Sequence, residues 1–297
     1  MKKNLVSIVV NCFNGEKFLS QTLDSILIQK YKNFEVIFVD NCSTDATSKI
    51  FKKINDKRFK YFKTKKKINL YKARNYALKK CNGEFIAFLD ADDWWDKNFL
   101  SSRKSFFKSS NAYGFSYSNC YHYYEKSKKL KIFSKNKIPT GFILDKLLKF
   151  YFVKLSTIII KNKIIKSYKF NPKYNIIGDY ESIIRISEKY KGMGYQNKLT
   201  YIRIHQDNYT HNNRKAFYKE FKHWVNNQDY KKTYFKKNKL KIFERLEYLR
   251  IIYLLLNKKT VSLIFSIIKY PLSYHKLKLI IIYCIPIFLI KLKIKYF

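Results

Sequence analysis

Acidic residues are scarce in this chain: 21 Asp and Glu stand against 62 Lys and Arg, for a formal charge of +41. Such a balance favours anionic partners (nucleic acid, acidic phospholipid, phosphorylated substrates) without choosing among them. The five cysteines, Cys12, Cys42, Cys81, Cys120 and Cys284, are scattered and form no C-x-x-C pair. That argues against a disulfide framework or a zinc site and fits a reducing cytoplasm. Long hydrophobic runs are missing too. The run Leu5 to Val10 is too short for a signal peptide. The apolar block 279–290 has twelve residues and contains Pro286, where a spanning helix needs about 20. Glycine is rare at seven residues, and Arg supplies only eight of the basic ones. The excess of Lys, Ile, Asn, Tyr and Phe matches an AT-rich coding bias, so single lysines carry little functional information. Hydrophobic content of 46% still suffices for a packed core, and 297 residues allow one large α/β domain with an extension, or two domains.

The few acids are concentrated. Asp90, Asp92, Asp93 and Asp96 follow the apolar run Phe85 to Leu89, which reads as a buried strand. Carboxylates delivered at a strand's C-terminal end lie where open α/β sheets bind ligands. Close carboxylates repel unless a cation or proton joins them, so a divalent metal is a natural occupant. The alternative is that Asp92 or Asp93 caps a helix after Trp95.

Upstream, Leu5–Val10 and Phe34–Asp40 read as strands and Lys60–Phe62 as a shorter one. Helical spacing runs through Phe18, Leu19, Leu23, Ile26 and Leu27, and again over 70–80. This alternation predicts βαβ units and a largely parallel sheet, with Asp40 and Asp90 on the same edge. Asp45 reads as an N-cap. Beyond residue 98 the pattern predicts a helix over 99–108, a strand over 112–118, a hairpin-like stretch over 121–133, a helix over 142–150 and a strand over 155–160. A helix then starts at Asp179, which is either its N-cap or a functional acid, and a last strand, 199–205, carries Arg203 and His205. From 211 the chain becomes a basic, helical extension. Its apolar blocks 251–256, 261–268 and 279–290, flanked by Lys276, Lys278, Lys291, Lys293 and Lys295, suit an interfacial anchor or a helical subdomain packed on the rest.

Taken in order, Ser7-Ile-Val-Val-Asn-Cys-Phe-Asn-Gly-Glu16, Phe38-Val-Asp-Asn-Cys-Ser-Thr-Asp-Ala-Thr47, Ala73-Arg-Asn75, Phe88-Leu-Asp-Ala-Asp-Asp-Trp94, Gly178-Asp-Tyr-Glu181 and Tyr201-Ile-Arg-Ile-His205 resemble family 2 glycosyltransferases of the GT-A fold. The resemblance implies an α/β fold: a Rossmann-like, mostly parallel sheet flanked by helices, over 1–210, with a nucleotide-sugar half (1–98) and an acceptor half (99–210). The extension 211–297 lies outside it. It implies that Asn11, Phe13, Asn14, Glu16 and Asp40 hold the nucleotide and that Arg74 sits near the diphosphate. Asp90 and Asp92, with His205, would hold Mg²⁺ or Mn²⁺, and Asp179 would be the catalytic base. Three positions depart from the family pattern: Asn41 for a second Asp, Tyr71 for a usual Gly, and Gly178 for a Glu before the base.

The expected activity is inverting transfer from a nucleoside-diphosphate sugar, UDP before GDP, to a glycan acceptor on a polyprenyl diphosphate. The setting would be surface-polysaccharide synthesis (lipopolysaccharide or capsule) at the anionic inner face of the cytoplasmic membrane. Transfer to polyprenyl phosphate, sugar-nucleotide synthesis and a non-catalytic basic binding protein are the alternatives. Nucleic acid is not an expected partner: no recognition signature is present, and acids line the sheet edge where it would lie.

Overall fold

The computed structural model describes residues 1–109 and 112–256. The chain divides into two compact units, Met1–His205 and Gln206–Phe297.

Among the described residues the first unit holds eleven strands: β1 (Lys2–Cys12), β2 (Phe34–Asp40), β3 (Phe59–Lys63), β4 (Gly83–Phe88), β5 (Trp94–Trp95), β6 (Phe115–Ser118), β7 (Tyr121–Tyr124), β8 (Lys129–Ile132), β9 (Ile159–Lys161), β10 (Gly192–Tyr195) and β11 (Thr200–Ile204). Seven form one sheet in the order β10-β6-β9-β4-β1-β2-β3. The half built from β3, β2, β1 and β4 is parallel throughout. β1 and β2 read as unbroken apolar runs because both their faces are covered: Val6, Ile8, Val10, Val36, Phe38 and Val39 are fully buried. The crossover helix Leu19–Leu27 buries Leu19, Leu23 and Ile26, one stripe at helical spacing. The helix Leu70–Lys80 is started by Asn69, whose side chain accepts from the backbone N–H of Tyr71 and Lys72.

A second, four-stranded sheet runs β5-β11-β7-β8. Trp94–Trp95 is therefore a short strand paired antiparallel with β11, so no helix stands there for Asp92 or Asp93 to cap. The region expected as a strand over 155–160 splits into a 3₁₀ turn, Leu155–Thr157, and β9. β9 runs antiparallel to both β4 and β6.

In the second unit, the helix Arg214–Asn226 buries Phe221, Trp224 and Val225, and the helix Thr233–Leu256 buries Phe235, Ile242 and Leu249. Trp224 and Phe235 meet with centroids 6.0 Å apart. No helix among the described residues is long and apolar enough to cross a membrane. The block 251–256 is the end of that longer helix. The blocks 261–268 and 279–290 and their flanking lysines lie outside the described residues.

One charged group is built into the parallel half. Glu35 on β2 accepts from Ser7 Oγ (2.7 Å), the Asn82 backbone N–H (2.7 Å) and Lys60 Nζ (2.8 Å). Ser7 Oγ in turn accepts from the Gly83 N–H at 2.8 Å. One carboxylate thus ties β1, β2, β3 and the entry to β4. Burial opposes its ionisation, but Lys60, Ser7 and Asn82 together outweigh burial and hold the carboxyl below the usual range. A depressed carboxyl stabilises fully above its unfolded pKa of about 4.3 and loses that contribution as pH falls through its folded value. Lys60 is partly exposed, so the enclosed Ser7 and Asn82 bonds contribute most. Glu35→Gln is expected to lower unfolding free energy by about 1–3 kcal/mol at pH 7. Urea titrations from pH 7 down to pH 3 should show the variant and the wild type converging in acid.

Candidate active site

The parallel register sets Cys12 beside Asp40 and Val9 beside Phe88. The residues that follow β1, β2 and β4 therefore emerge on one sheet edge. Two loops there are zipped together. Asn14, at φ 51°, donates its backbone N–H to Ser43 Oγ (3.0 Å) and accepts from the Thr44 N–H (2.9 Å). Glu16 accepts from the Ala46 N–H at 2.9 Å, and its own N–H donates to Asp45 at 3.0 Å. Asp45 also accepts from the Thr47 N–H at 3.0 Å, while the formal cap of that helix is Ala46. Asn14 and Glu16, expected at the nucleotide, thus clamp the loop that would receive it.

Asp40 is fully buried. Its Oδ1 accepts from the Ser43 N–H at 2.7 Å and its Oδ2 from Tyr61 Oη at 2.5 Å. As it stands, Asp40 fixes the turn instead of offering a carboxylate to a base. Asn11 does the opposite: its side-chain Oδ1 and Nδ2 are both buried and have no hydrogen-bond partner among the described residues, a donor and an acceptor left for a ligand. Phe13 is exposed, with Lys67 Nζ 3.5 Å above its ring.

The acids after β4 take different roles. Asp90 Oδ1 accepts from Arg74 Nη2 at 2.6 Å, and 44% of the Asp90 side chain is open. Desolvation on the recessed floor pushes its carboxyl up, Arg74 pulls it down, and Asp92 pushes it up again. Its open surface makes it recessed, not sealed. Asp92 Oδ2 lies 2.9 Å from His205 Nε2, whose ring packs on Phe18 at 4.7 Å. Asp93 is 3% exposed and structural: Ser156 Oγ donates to it at 2.6 Å and the Arg203 backbone N–H at 2.9 Å. Burial, then Asp92 and Asp90, push its carboxyl well up. Ser156 Oγ also accepts from the Asp90 N–H at 3.2 Å. No sequence pattern marks Ser156.

Arg203, which the sequence places beside the site, is buried and saturated. Its Nε donates to the Asp92 carbonyl at 2.9 Å, and its other nitrogens hold Glu125 and Gln21. Phe18 and Trp94 face its guanidinium at 4.4 and 4.6 Å. It fixes β11, and with it His205, against the acid loop.

The helix Gly178–Ser187 begins one residue before Asp179, with Ile177 in the capping position and no side-chain cap. Asp179 is therefore not the cap. Its Oδ1 accepts from Tyr71 Oη at 3.1 Å. The negative charge of Asp179 reaches both Arg74 and Asp90, so the expected base and the expected diphosphate residues share one region.

Among the described residues, no three His, Cys, Asp or Glu side chains form a group that could hold a metal ion. His205 Nε2 is engaged with Asp92. Asp90 and Asp92 nevertheless present a partly open pair of hard oxygen donors. Mg²⁺ is commonly held by one or two carboxylates plus substrate phosphates, not by an all-protein cage. The pair fits an ion that comes with a diphosphate.

A doubly covered α/β sheet with carboxylates, an arginine and an unpaired amide at its switch edge defines a nucleotide-dependent transferase of the GT-A class. Residues 7–160 match the model of Glycosyl transferase family 2, and the chain belongs to that family. It is 35% identical over 205 residues to the UDP-Glc:alpha-D-GlcNAc-diphosphoundecaprenol beta-1,3-glucosyltransferase WfaP of Escherichia coli, covering 68% of this chain and 78% of that protein. It is 32% identical over 170 residues to WfgD of Escherichia coli, likewise a UDP-Glc:alpha-D-GlcNAc-diphosphoundecaprenol beta-1,3-glucosyltransferase, covering 57% of this chain and 65% of that protein. The fold matches the S. aureus TarS 1-349 complex with UDP-GlcNAc (TM-score 0.60, 17% identity, 96% of this chain and 83% of that one). It also matches the Pyrobaculum calidifontis mannosyltransferase PcManGT in complex with GDP-Man and Mn²⁺ (0.63, 16%, 93% and 78%).

Replacing Arg203 by Met leaves the Asp92 carbonyl and Gln21 without their donor and Glu125 with Lys128 alone, so Arg203→Met should cost about 1–3 kcal/mol of stability. Arg203→Lys should recover only part, because one ammonium cannot span three partners in a plane. Denaturant midpoints of the two variants check this.

Proposed function

We propose that this chain is an inverting glycosyltransferase that moves a hexose, with glucose the first candidate, from a UDP-sugar to GlcNAc on a polyprenyl diphosphate in surface-polysaccharide synthesis. The observation that carries the reading is the gathering of two kinds of group in one unit: Arg74 bonded to Asp90 at 2.6 Å with Asp92 two residues on, and Asp179 held at 3.1 Å by Tyr71 on the helix that also carries Arg74. The activities of WfaP and WfgD support the choice of donor and acceptor.

Asn11, with its unpaired amide, is the group for the base edge, and Phe13 flanks it. Asn14, Glu16 and Asp40 keep the receiving loops in place. Arg74 faces the diphosphate. A divalent ion, Mg²⁺ or Mn²⁺, held by Asp90 and Asp92 with His205 adjoining, would supply positive charge beside the leaving diphosphate. Asp179 takes the proton of the acceptor hydroxyl as that oxygen bonds to the anomeric carbon from the face opposite the leaving group. The bond from the anomeric carbon to the diphosphate oxygen breaks with its electron pair going to UDP. Configuration at that carbon inverts, so an α-linked donor gives a β-linked product.

Asp179→Asn should keep UDP affinity and lose turnover by about 10²–10⁴-fold. The test is UDP release from UDP-glucose in the presence of a synthetic GlcNAc-diphospholipid. Full turnover of the variant would sink the assignment.

The lipid acceptor implies work at the inner face of the cytoplasmic membrane, and the basic apolar stretch 257–297 suits the anionic surface there. Removing residues 261–297 should reduce sedimentation with vesicles rich in phosphatidylglycerol, and undiminished sedimentation would contradict that role.

A further inference from the structure

We propose that Tyr71 is the positioning residue for the Asp179 carboxylate, gripping it through the phenol hydroxyl from a ring seat that exists because residue 178 is Gly. The inference rests on the reading of Asp179 as the base.

Tyr71 stands in the first turn of the helix Leu70–Lys80 and is 1% exposed. Its ring is held on two sides. Phe170 packs at 5.4 Å between centroids. At Gly178, a Cβ would fall 2.6 Å from two atoms of the Tyr71 ring, closer than real carbon contacts allow. Gly178 has no positive φ, so space and not backbone freedom demands glycine there. The packing thus accounts for glycine at the first position of this helix.

Seated this way, Tyr71 Oη lies 2.9 Å from the Ile176 carbonyl and 3.1 Å from Asp179 Oδ1. A phenol has one proton to give and lone pairs to receive. While Asp179 is ionised, the hydroxyl donates to its carboxylate. Once Asp179 has taken the acceptor's proton, the new carboxyl O–H can donate to the phenol oxygen, and the phenol proton turns to the Ile176 carbonyl. One O–H bond breaks on the acceptor and one forms on Asp179, and Tyr71 keeps its own proton throughout. Burial, reinforced by the Asp179 charge, pushes Tyr71 ionisation well above its ordinary value, which keeps it a donor. Tyr71 therefore satisfies both protonation states of Asp179 without moving its ring.

The test is steady-state kinetics on Tyr71→Phe, which keeps the ring and deletes the hydroxyl. The expected result is a kcat lower by about 10–100-fold, with donor KM and UDP affinity unchanged. Adding Tyr71→Phe to Asp179→Asn should cause no further loss, because the hydroxyl acts through Asp179. A Tyr71→Phe enzyme with full kcat beside an inactive Asp179→Asn overturns the proposal and leaves the base assignment standing. So does a loss confined to donor KM. An active Asp179→Asn removes the base reading itself, and the inference with it. The packing half is read separately: Gly178→Ala should be strongly destabilising alone and tolerated in a Tyr71→Ala background. Equal destabilisation in both backgrounds would remove the reciprocal seat.

Discussion

The acid loop after β4 depends on one buried guanidinium. Arg203 reaches the Asp92 carbonyl, Glu125 and Gln21 at once, and its backbone N–H holds Asp93. That grip adds to the short pairing of β5 with β11 at two positions, the Asp96 N–H bond to the Leu199 carbonyl at 2.9 Å and the stacking of Trp94 on Tyr201 at 5.0 Å. His205, two residues further, reaches Asp92 only because β11 is pinned. The fold uses a saturated, permanently charged fork where a flexible lysine would not serve. This explains an Arg at that point in a chain that otherwise uses Lys.

A second constraint is electrostatic. A chain of charge +41 gathers three carboxylates between positions 90 and 93, and each is kept by a different means. Asp90 has Arg74, Asp92 has His205, and Asp93 has Ser156 and a backbone N–H. Close carboxylates hold together only when cations or donors answer them. Arg74 and His205 are the side chains that answer Asp90 and Asp92. Asp179 completes the arrangement from a separate helix, through a residue on the helix that also carries Arg74.

Much of this was legible in the sequence. The apolar runs of β1, β2 and β4, the parallel order they imply and the carboxylates at their ends follow from local pattern, because buried parallel strands read as continuous hydrophobic segments. Long-range pairing was not legible. Trp94–Trp95 resembles a helix entry locally and becomes a strand only because residues 200–201 come back beside it. β9 is apolar like its neighbours, and nothing in three residues encodes that it runs against them. Among site residues, the acids and Arg74 stood out by scarcity, whereas Ser156 is one serine among many. Asp45 reads as a helix cap and Asp179 as either a cap or a functional acid, and the structure gives the capping positions to Ala46 and Ile177. Tyr71 and Gly178 each stood out as departures from the family pattern, but only their contact in space shows that one makes room for the other.

The most direct test of the central claim, a diphosphate-and-metal site at Asp90, Asp92 and Arg74, is calorimetric titration. UDP and GDP would each be titrated with Mn²⁺, with Mg²⁺ or with EDTA, into wild type and Asp92→Ala. The account predicts binding of UDP that requires the metal and is lost in the variant. UDP binding that is indifferent both to EDTA and to Asp92→Ala would contradict it.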